Sequence, residues 1–206
     1  MFLREEIQYG VNQAIVKLIQ SIVPTLTENE IAELIARSKK TSISPSETFI
    51  EEGQIPKKFG FLIRGLVRYF YTDSQGREFT KMFFGANSFV SSYTAMINKT
   101  PSFFSIQALT QVEILEIDFE HWLKIKQSND MWNLFLITLL EKGYAIKEKR
   151  ERELLILDAE SRYKIFRDEF QDVENQIKQH LIASYIGITP IALSRIRKKM
   201  GLINLC

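Results

Sequence analysis

Cysteine and histidine are scarce in this sequence of 206 residues, which contains one cysteine, Cys206, and two histidines, His121 and His180. A single cysteine cannot form a disulfide framework, and it cannot supply the thiolate set of an iron–sulfur cluster or a structural zinc site. The two histidines are far apart in sequence and lie in amphipathic patterns, where a surface or hydrogen-bonded position is the simpler interpretation. We therefore expect no metal and a reducing compartment, the cytoplasm.

Long apolar runs are also absent. The most apolar run, residues 131–140, stops at Glu141 and Lys142 and is shorter than the roughly 18 residues that a membrane span needs. The N-terminal sequence MFLREEIQYG has acidic residues where a signal peptide would have its apolar segment. We expect neither membrane insertion nor export. With 45% hydrophobic residues, the chain can bury the core of one larger domain and a small one.

The recognisable motifs of enzymes are missing too. The sequence has no nucleophile elbow, no phosphate-binding glycine loop and no histidine close to a candidate nucleophile. Acidic pairs such as Glu51-Glu52 are typical of solvated turns. The sequence therefore does not predict an enzyme.

Negative charge is absent from one end of the chain. Residues 175–206 contain five basic residues and no acidic ones, whereas the rest of the chain has 22 basic and 25 acidic residues. Such asymmetry is typical of an attached nucleic-acid-binding module. A solvated basic tail would have the same charge, so the pattern of residues must decide between the two.

The remaining sequence changes period twice, which predicts an α+β fold. Residues 11–40 have helical spacing, with a capping box at Thr27 and Glu30. Residues 41–117 alternate with period two and predict an antiparallel, jelly-roll-like β-roll. Its clearest hairpin turns at Asp73-Ser74-Gln75-Gly76, and the segments FSIQALT and VEILEID predict a second strand pair.

A long helix is predicted for residues 129–153, and its first part is apolar on nearly every side. One face can pack on the β-roll, and the other can pack on the same helix of a second copy. Complete burial within one chain is the alternative. The predicted dimer interface consists of Trp132, Phe135, Leu136, Leu139 and Gly143.

The segment QHLIASYIGITPIALSRIRKKM, which begins at Gln179, fits a helix-turn-helix. Gly187 occupies the turn, Thr189 can cap the second helix, and Pro190 suits its first position. Apolar residues at the packing positions are Ile182, Ile186, Ile188, Leu193 and Ile196, with the small Ala183 where the helices meet.

The second helix of this motif presents basic residues to solvent. We predict that Arg195 reads guanine and that Ser194 and Ile191 add base contacts. Phosphate contacts are predicted for Arg197, Lys198 and Lys199, and the predicted DNA-binding set also includes Thr189. A helical hairpin with a solvated basic face is the alternative.

Taken together, these segments resemble the Crp/Fnr family of bacterial transcription regulators. The resemblance is carried by IRGLVRYFYTDSQGREFTKMFFGANSFVSSY, by the long helix, and most specifically by IASYIGITPIALSRIRKKM. It implies N-terminal helices and a cyclic-nucleotide-binding-like β-roll (1–128), a dimerisation helix (129–153) and a winged-helix-like DNA-binding domain (154–206). It also implies a homodimer that binds an inverted repeat in double-stranded DNA, with RNA polymerase as a candidate partner.

The predicted sensor domain departs from the cyclic-nucleotide pattern of that family. Members that bind cyclic AMP have a Gly-Glu pair and, about ten residues later, an Arg-Ser or Arg-Thr pair; here the matching positions are Ser91-Ser92 and Ser102-Phe103. Without the carboxylate and the guanidinium, cyclic AMP is not expected. Nearby aromatic residues fit either an apolar ligand or core packing, so no ligand or cofactor is assigned. A β-roll signalling or scaffold protein with an incidental basic C-terminus is the alternative function.

Overall fold

The computed structural model describes residues 13–202, so Cys206 and residues 11–12 of the predicted N-terminal helix lie outside the described part. Helix α1 covers residues 13–22 and helix α2 covers Glu28–Ala36. The Thr27 hydroxyl accepts from the Glu30 backbone N–H (3.3 Å), and the Glu30 carboxylate accepts from the Thr27 N–H (2.8 Å). The predicted capping box is therefore confirmed.

In residues 13–202, eight strands form two antiparallel four-stranded sheets, which are ordered β1-β8-β3-β6 and β2-β7-β4-β5. Apolar side chains from both sheets, among them Leu62, Val67, Ile106 and Ile114, fill the space between them. This packing confirms the predicted β-roll. The strands are β1 Lys39–Ile43, β2 Thr48–Ile50, β3 Lys58–Arg64, β4 Val67–Thr72, β5 Glu78–Phe84, β6 Ser88–Val90, β7 Ser105–Ala108 and β8 Val112–Asp118.

The hairpin between β4 and β5 has the predicted turn. Gly76 adopts a φ of 76°, which favours glycine. The Asp73 carboxylate accepts from the backbone N–H groups of Gln75 and Arg77, both at 2.9 Å. The hydrogen bonds from Arg77 are the main reason that the pKa of Asp73 is lowered.

The second predicted strand pair is wrong. The two segments do form β7 and β8, but β7 pairs with β2 and β4, whereas β8 pairs with β1 and β3. Residues 109–111 carry the chain from one sheet to the other, where the Leu109 N–H donates to the Leu66 carbonyl (2.8 Å) and the Leu66 N–H donates to the Thr110 hydroxyl (3.0 Å). The two strands therefore belong to different sheets and do not form a hairpin.

Three helices follow or interrupt the strands: α3 Tyr93–Asn98, α4 Phe119–Ser128 and α5 Met131–Ile156. Helix α5 is the predicted long helix. The Asn129 side chain accepts from the Met131 backbone N–H (2.8 Å) at its start.

The structure corrects two residues of the predicted dimer interface. Trp132 and Phe135 are 1% and 2% exposed and belong to the same apolar cluster as Ile15 and Ile19 of α1. The N-terminal helices therefore cover this face of α5 within one protomer. Leu136 and Leu139 are half-buried beside the same cluster.

A second side of α5 carries four exposed apolar residues. We call this set the α5 stripe, and its members Leu134, Ile137, Leu140 and Tyr144 are 46%, 51%, 46% and 65% exposed. The helix thus has two apolar sides, and this chain covers one of them.

The C-terminal part consists of α6 Ala159–Glu169, a short 3-10 turn Glu174–Gln176, α7 Gln179–Ile186 and α8 Pro190–Lys199. Residues 157–202 contain no strand, so the predicted wing does not occur in this range. The helices pack directly on the β-roll, because Leu66 and Phe83 share an apolar cluster with Tyr163, Phe166 and Ile182.

Candidate nucleic-acid interface

A sharp turn joins α7 and α8, the predicted helix-turn-helix. Gly187 ends α7 in the left-handed conformation, with φ 73° and ψ 39°, where a side chain would add strain. The Thr189 hydroxyl then accepts from the Ala192 backbone N–H (3.2 Å), and Pro190 is the first residue of α8. These contacts set where the second helix begins and in which direction it runs.

The two helices pack through the predicted apolar positions. Ile182, Ile186 and Leu193 are at most 1% exposed, and Ala183 is fully buried where the helices meet. Half-buried Ile188 and Ile196 complete the packing. The first and second helices are therefore held at a defined angle.

The outer face of α8 is open. Ile191 is 67% exposed, and Ser194, Arg195 and Lys198 are exposed as well. Their spacing of three, four and seven residues places them on one side of the helix. Among residues 13–202, Arg195 has no ion-pair partner.

The predicted phosphate contact of Arg197 requires a correction, because its side chain is bonded within the protein. Its guanidinium donates to the Tyr163 hydroxyl (2.6 Å) and to the Glu174 carboxylate (3.0 Å), and Tyr163 donates to the same carboxylate (2.7 Å). Arg197 follows Leu193 by one helical turn, so it points toward the buried flank of α8. Burial and the Glu174 hydrogen bond raise the pKa of Tyr163 to about 12. Arg197 is therefore occupied in holding α8 against α6 and the 3-10 turn.

Lys199 lies at the other end of α8 and is largely exposed. Its ammonium contacts the Glu160 carboxylate (2.5 Å), and this hydrogen bond raises the pKa of Lys199. Exposed ion pairs contribute little to stability. The ammonium can therefore exchange this partner for another anion.

The contacts of α7 with β5 and with α5 had no signal in the sequence. The Thr80 N–H of β5 donates to the Ser184 hydroxyl (2.8 Å), and the Arg150 guanidinium lies 3.7 Å from the centre of the Tyr185 ring. These partners are 104 and 35 residues apart in sequence, and no periodicity links them.

The serines at the family's nucleotide-binding positions are bonded to their own surroundings. The hydroxyls of Ser92 and Ser102 are hydrogen-bonded to each other (2.9 Å), and Ser102 also donates to the Phe104 carbonyl (2.7 Å). The Ser91 backbone N–H donates to the buried Tyr69 hydroxyl (2.8 Å). Phe103 is 78% exposed. None of the four family positions supplies a charged group.

The β-roll is similar to a known family of domains. Residues 40–129 match the family model of the cyclic nucleotide-binding domain. No curated protein matches the sequence significantly.

Three solved structures extend the similarity over most of the chain. The c-di-GMP-responsive global regulator CLP of Xanthomonas campestris is 18% identical, with a TM-score of 0.72 over 87% of this chain and 96% of that one. FixK2 of Bradyrhizobium japonicum is 15% identical, with a TM-score of 0.70 over 82% and 88%. A putative Crp/Fnr-family regulator of Eubacterium rectale is 13% identical, with a TM-score of 0.72 over 90% and 89%. This chain has the Crp/Fnr fold.

The Crp/Fnr fold confirms the predicted resemblance and fold class. CLP is a global regulator and the Eubacterium rectale protein a transcriptional regulator by name. Within residues 13–202, no cluster of three or more His, Cys, Asp or Glu could hold a metal ion. None of the described helices is apolar over enough of its length to cross a membrane.

Proposed function

We propose that this protein is a sequence-specific DNA-binding transcription regulator of the Crp/Fnr type. The observation that carries the proposal is the open face of α8, where Arg195 has no ion-pair partner among the described residues and Ile191, Ser194 and Lys198 lie beside it. A helix of this kind fits the major groove, with base contacts from its exposed side and phosphate contacts from its flanks.

Each exposed residue of α8 has a chemically suitable partner on DNA. The Arg195 guanidinium can donate two parallel hydrogen bonds to guanine O6 and N7, and Ile191 can contact a thymine methyl group. Ser194 and Thr189 can add polar contacts. Lys198 and Lys199 neutralise phosphates and so supply affinity more than sequence preference.

We further propose a homodimer that binds an inverted repeat. The α5 stripe supports this proposal, because four exposed apolar side chains on one helix face lose contact with water when a second copy covers them. An added Cβ at Gly143 would meet nothing within 4 Å, so a neighbouring helix has room to approach there. Two copies related by a two-fold axis would present two α8 helices to a palindromic site.

Ile137→Glu is expected to convert the dimer into a monomer, because a carboxylate would be buried without a partner at the centre of the α5 stripe. Sedimentation velocity at micromolar concentration measures the mass. The matched control is Ile97→Glu on α3, where the original side chain is 49% exposed compared with 51% for Ile137. A wild-type protein that sediments as a monomer would contradict the proposed dimer.

Selection of bound sequences from random duplex DNA tests the proposed function. We expect an enriched inverted repeat. With Lys198 and Lys199 of two protomers on four phosphates, log K should fall with log salt with a slope of about −3 to −4. Binding without enrichment, or without a salt dependence, would instead favour the β-roll signalling or scaffold protein.

We also propose that the sensor domain does not use cyclic AMP. Ser91-Ser92 and Ser102-Phe103 provide neither a carboxylate for the ribose hydroxyl nor a guanidinium for the phosphate. The hydrogen bond between Ser92 and Ser102 supports this proposal, because it occupies two of the three hydroxyl groups at these positions.

A further inference from the structure

A cavity of about 730 Å³ lies between the β-roll and α5. This volume is in the range of small-molecule sites, which run from about 300 to 1,000 Å³. Aromatic rings form much of its wall. Tyr69 and Phe104 are stacked with 5.2 Å between ring centroids and 21° between planes, and Phe84 packs against Tyr69 at 4.9 Å.

The cavity also has a cationic lining. Lys81, Lys142, Lys147 and Arg150 contribute to it, and the described lining residues include no Asp or Glu. None of these four cations forms an ion pair with a residue in the range 13–202. Glu153 and Glu169, whose charges act on Arg150, also pair with Lys149 and lie outside the lining of the cavity.

Lys81 lies at the aromatic wall of the cavity. Its ammonium lies 4.1 Å from the centre of the Phe104 ring, so it stands directly beside the aromatic wall. Burial lowers the pKa of Lys81, and the charge of Lys147 lowers it further. Two like charges at a partly buried wall are unfavourable, and a bound anion would relieve both the repulsion and the lost hydration.

We propose that this cavity binds an aromatic organic monoanion, such as a carboxylate or sulfonate, whose anionic group lies beside Lys81 and Lys147. The ring of the ligand packs against Tyr69 and Phe104. A nucleotide is a poorer match, because the lining has no carboxylate to accept hydrogen bonds from a ribose. The cationic groups lie on β5 and α5, and Ser91 and Ser92, two of the four family positions, are uncharged members of the same lining.

The proposed site is next to the contacts that hold the helix-turn-helix on the β-roll. Lys81 follows Thr80, whose N–H binds Ser184 of α7. Arg150 lines the cavity and also lies over the Tyr185 ring. An anion bound beside Lys81 and Lys147 would therefore lie next to Thr80 and Arg150, which contact α7.

The test compares two fluorescent probes on the full chain, 8-anilinonaphthalene-1-sulfonate and the uncharged N-phenyl-1-naphthylamine, which share the same aromatic body. We expect saturable binding of the sulfonate with one site per protomer. Lys81→Met and Lys147→Met should each weaken it by at least about tenfold, because each removes a charge-assisted contact. Binding of the uncharged probe should change by less than about twofold, since the apolar wall is intact.

Two control variants separate charge from folding. Lys81→Arg keeps a cation and should retain most of the sulfonate affinity, and Lys124→Met alters an exposed lysine of α4 and should change neither probe. Equal affinity for the sulfonate in wild type, Lys81→Met and Lys147→Met would overturn the proposal. Parallel loss of both probes in those two variants would also overturn it.

Competition identifies the ligand class. 1-Naphthoate should displace the sulfonate probe, whereas cyclic AMP at the same concentration should not. Displacement by cyclic AMP at a lower concentration than 1-naphthoate would show that the proposed class is wrong. The measurement uses no DNA, so its outcome is independent of the proposed function.

Discussion

Trp132→Ala is expected to lower the free energy of unfolding by about 3–5 kcal/mol, the usual cost of removing a large aromatic side chain from a core. Trp132 is 1% exposed. Its ring makes edge contacts with Trp122 and Phe135, at 5.7 and 5.8 Å between centroids. Urea denaturation followed by circular dichroism measures the change.

Leu134→Ala is the matched control for this prediction. Leu134 lies two residues away on the same helix but is 46% exposed. Leu134→Ala should therefore lower the free energy of unfolding of a single protomer by less than about 1 kcal/mol. The Trp132→Ala effect should be the same at low and high protein concentration. An effect that appears only at concentrations where dimers form would place Trp132 in an interface after all.

Arg195→Ala is expected to cost about 1–3 kcal/mol of specific DNA binding, or roughly 5- to 150-fold in affinity. The guanidinium is exposed on α8, so the thermal stability of the variant should match that of the wild type. Electrophoretic mobility shifts with the selected inverted repeat measure the affinity. Unchanged affinity would remove Arg195 from the interface.

Arg197→Ala is the informative comparison, because it removes the same charge from the same helix. Its guanidinium is bonded to Tyr163 and Glu174, and the part-buried carboxylate would lose a charged partner. We expect a loss of about 1–3 kcal/mol in stability. Arg195→Ala should thus change binding and Arg197→Ala should change stability. A stable Arg197→Ala protein with normal structure and weak DNA binding would restore Arg197 as a phosphate contact.

The helix-turn-helix was predictable from the sequence because its determinants are local. Gly187, Thr189 and Pro190 act on their own backbone or on residues within three positions. The spacing of Ile186 and Leu193 then determines which sides of α7 and α8 face each other. The hairpin at Gly76 was predictable for the same reason.

The sequence could not assign the partners of β7 and β8, because either strand satisfies the alternating pattern in several pairings. Their sheets depend on pairing with strands distant in sequence, β2 and β4 for β7 and β1 and β3 for β8. The sequence likewise could not show which of the two apolar sides of α5 is covered within the chain. Periodicity shows both sides, but only the packing of α1, which is more than 100 residues away, shows that Trp132 belongs to the core.

The sequence by itself therefore determined the order of helices and strands, the turn residues and the basic face of α8, since each depends on neighbours within one or two helical turns. Tertiary structure alone decided which cations are free to meet a ligand. Arg197 is held by Tyr163 and Glu174, whereas Lys81 faces a cavity whose lining has no carboxylate among the described residues. The physical reason is that charge compensation acts through space, between groups that the chain brings together only when it folds.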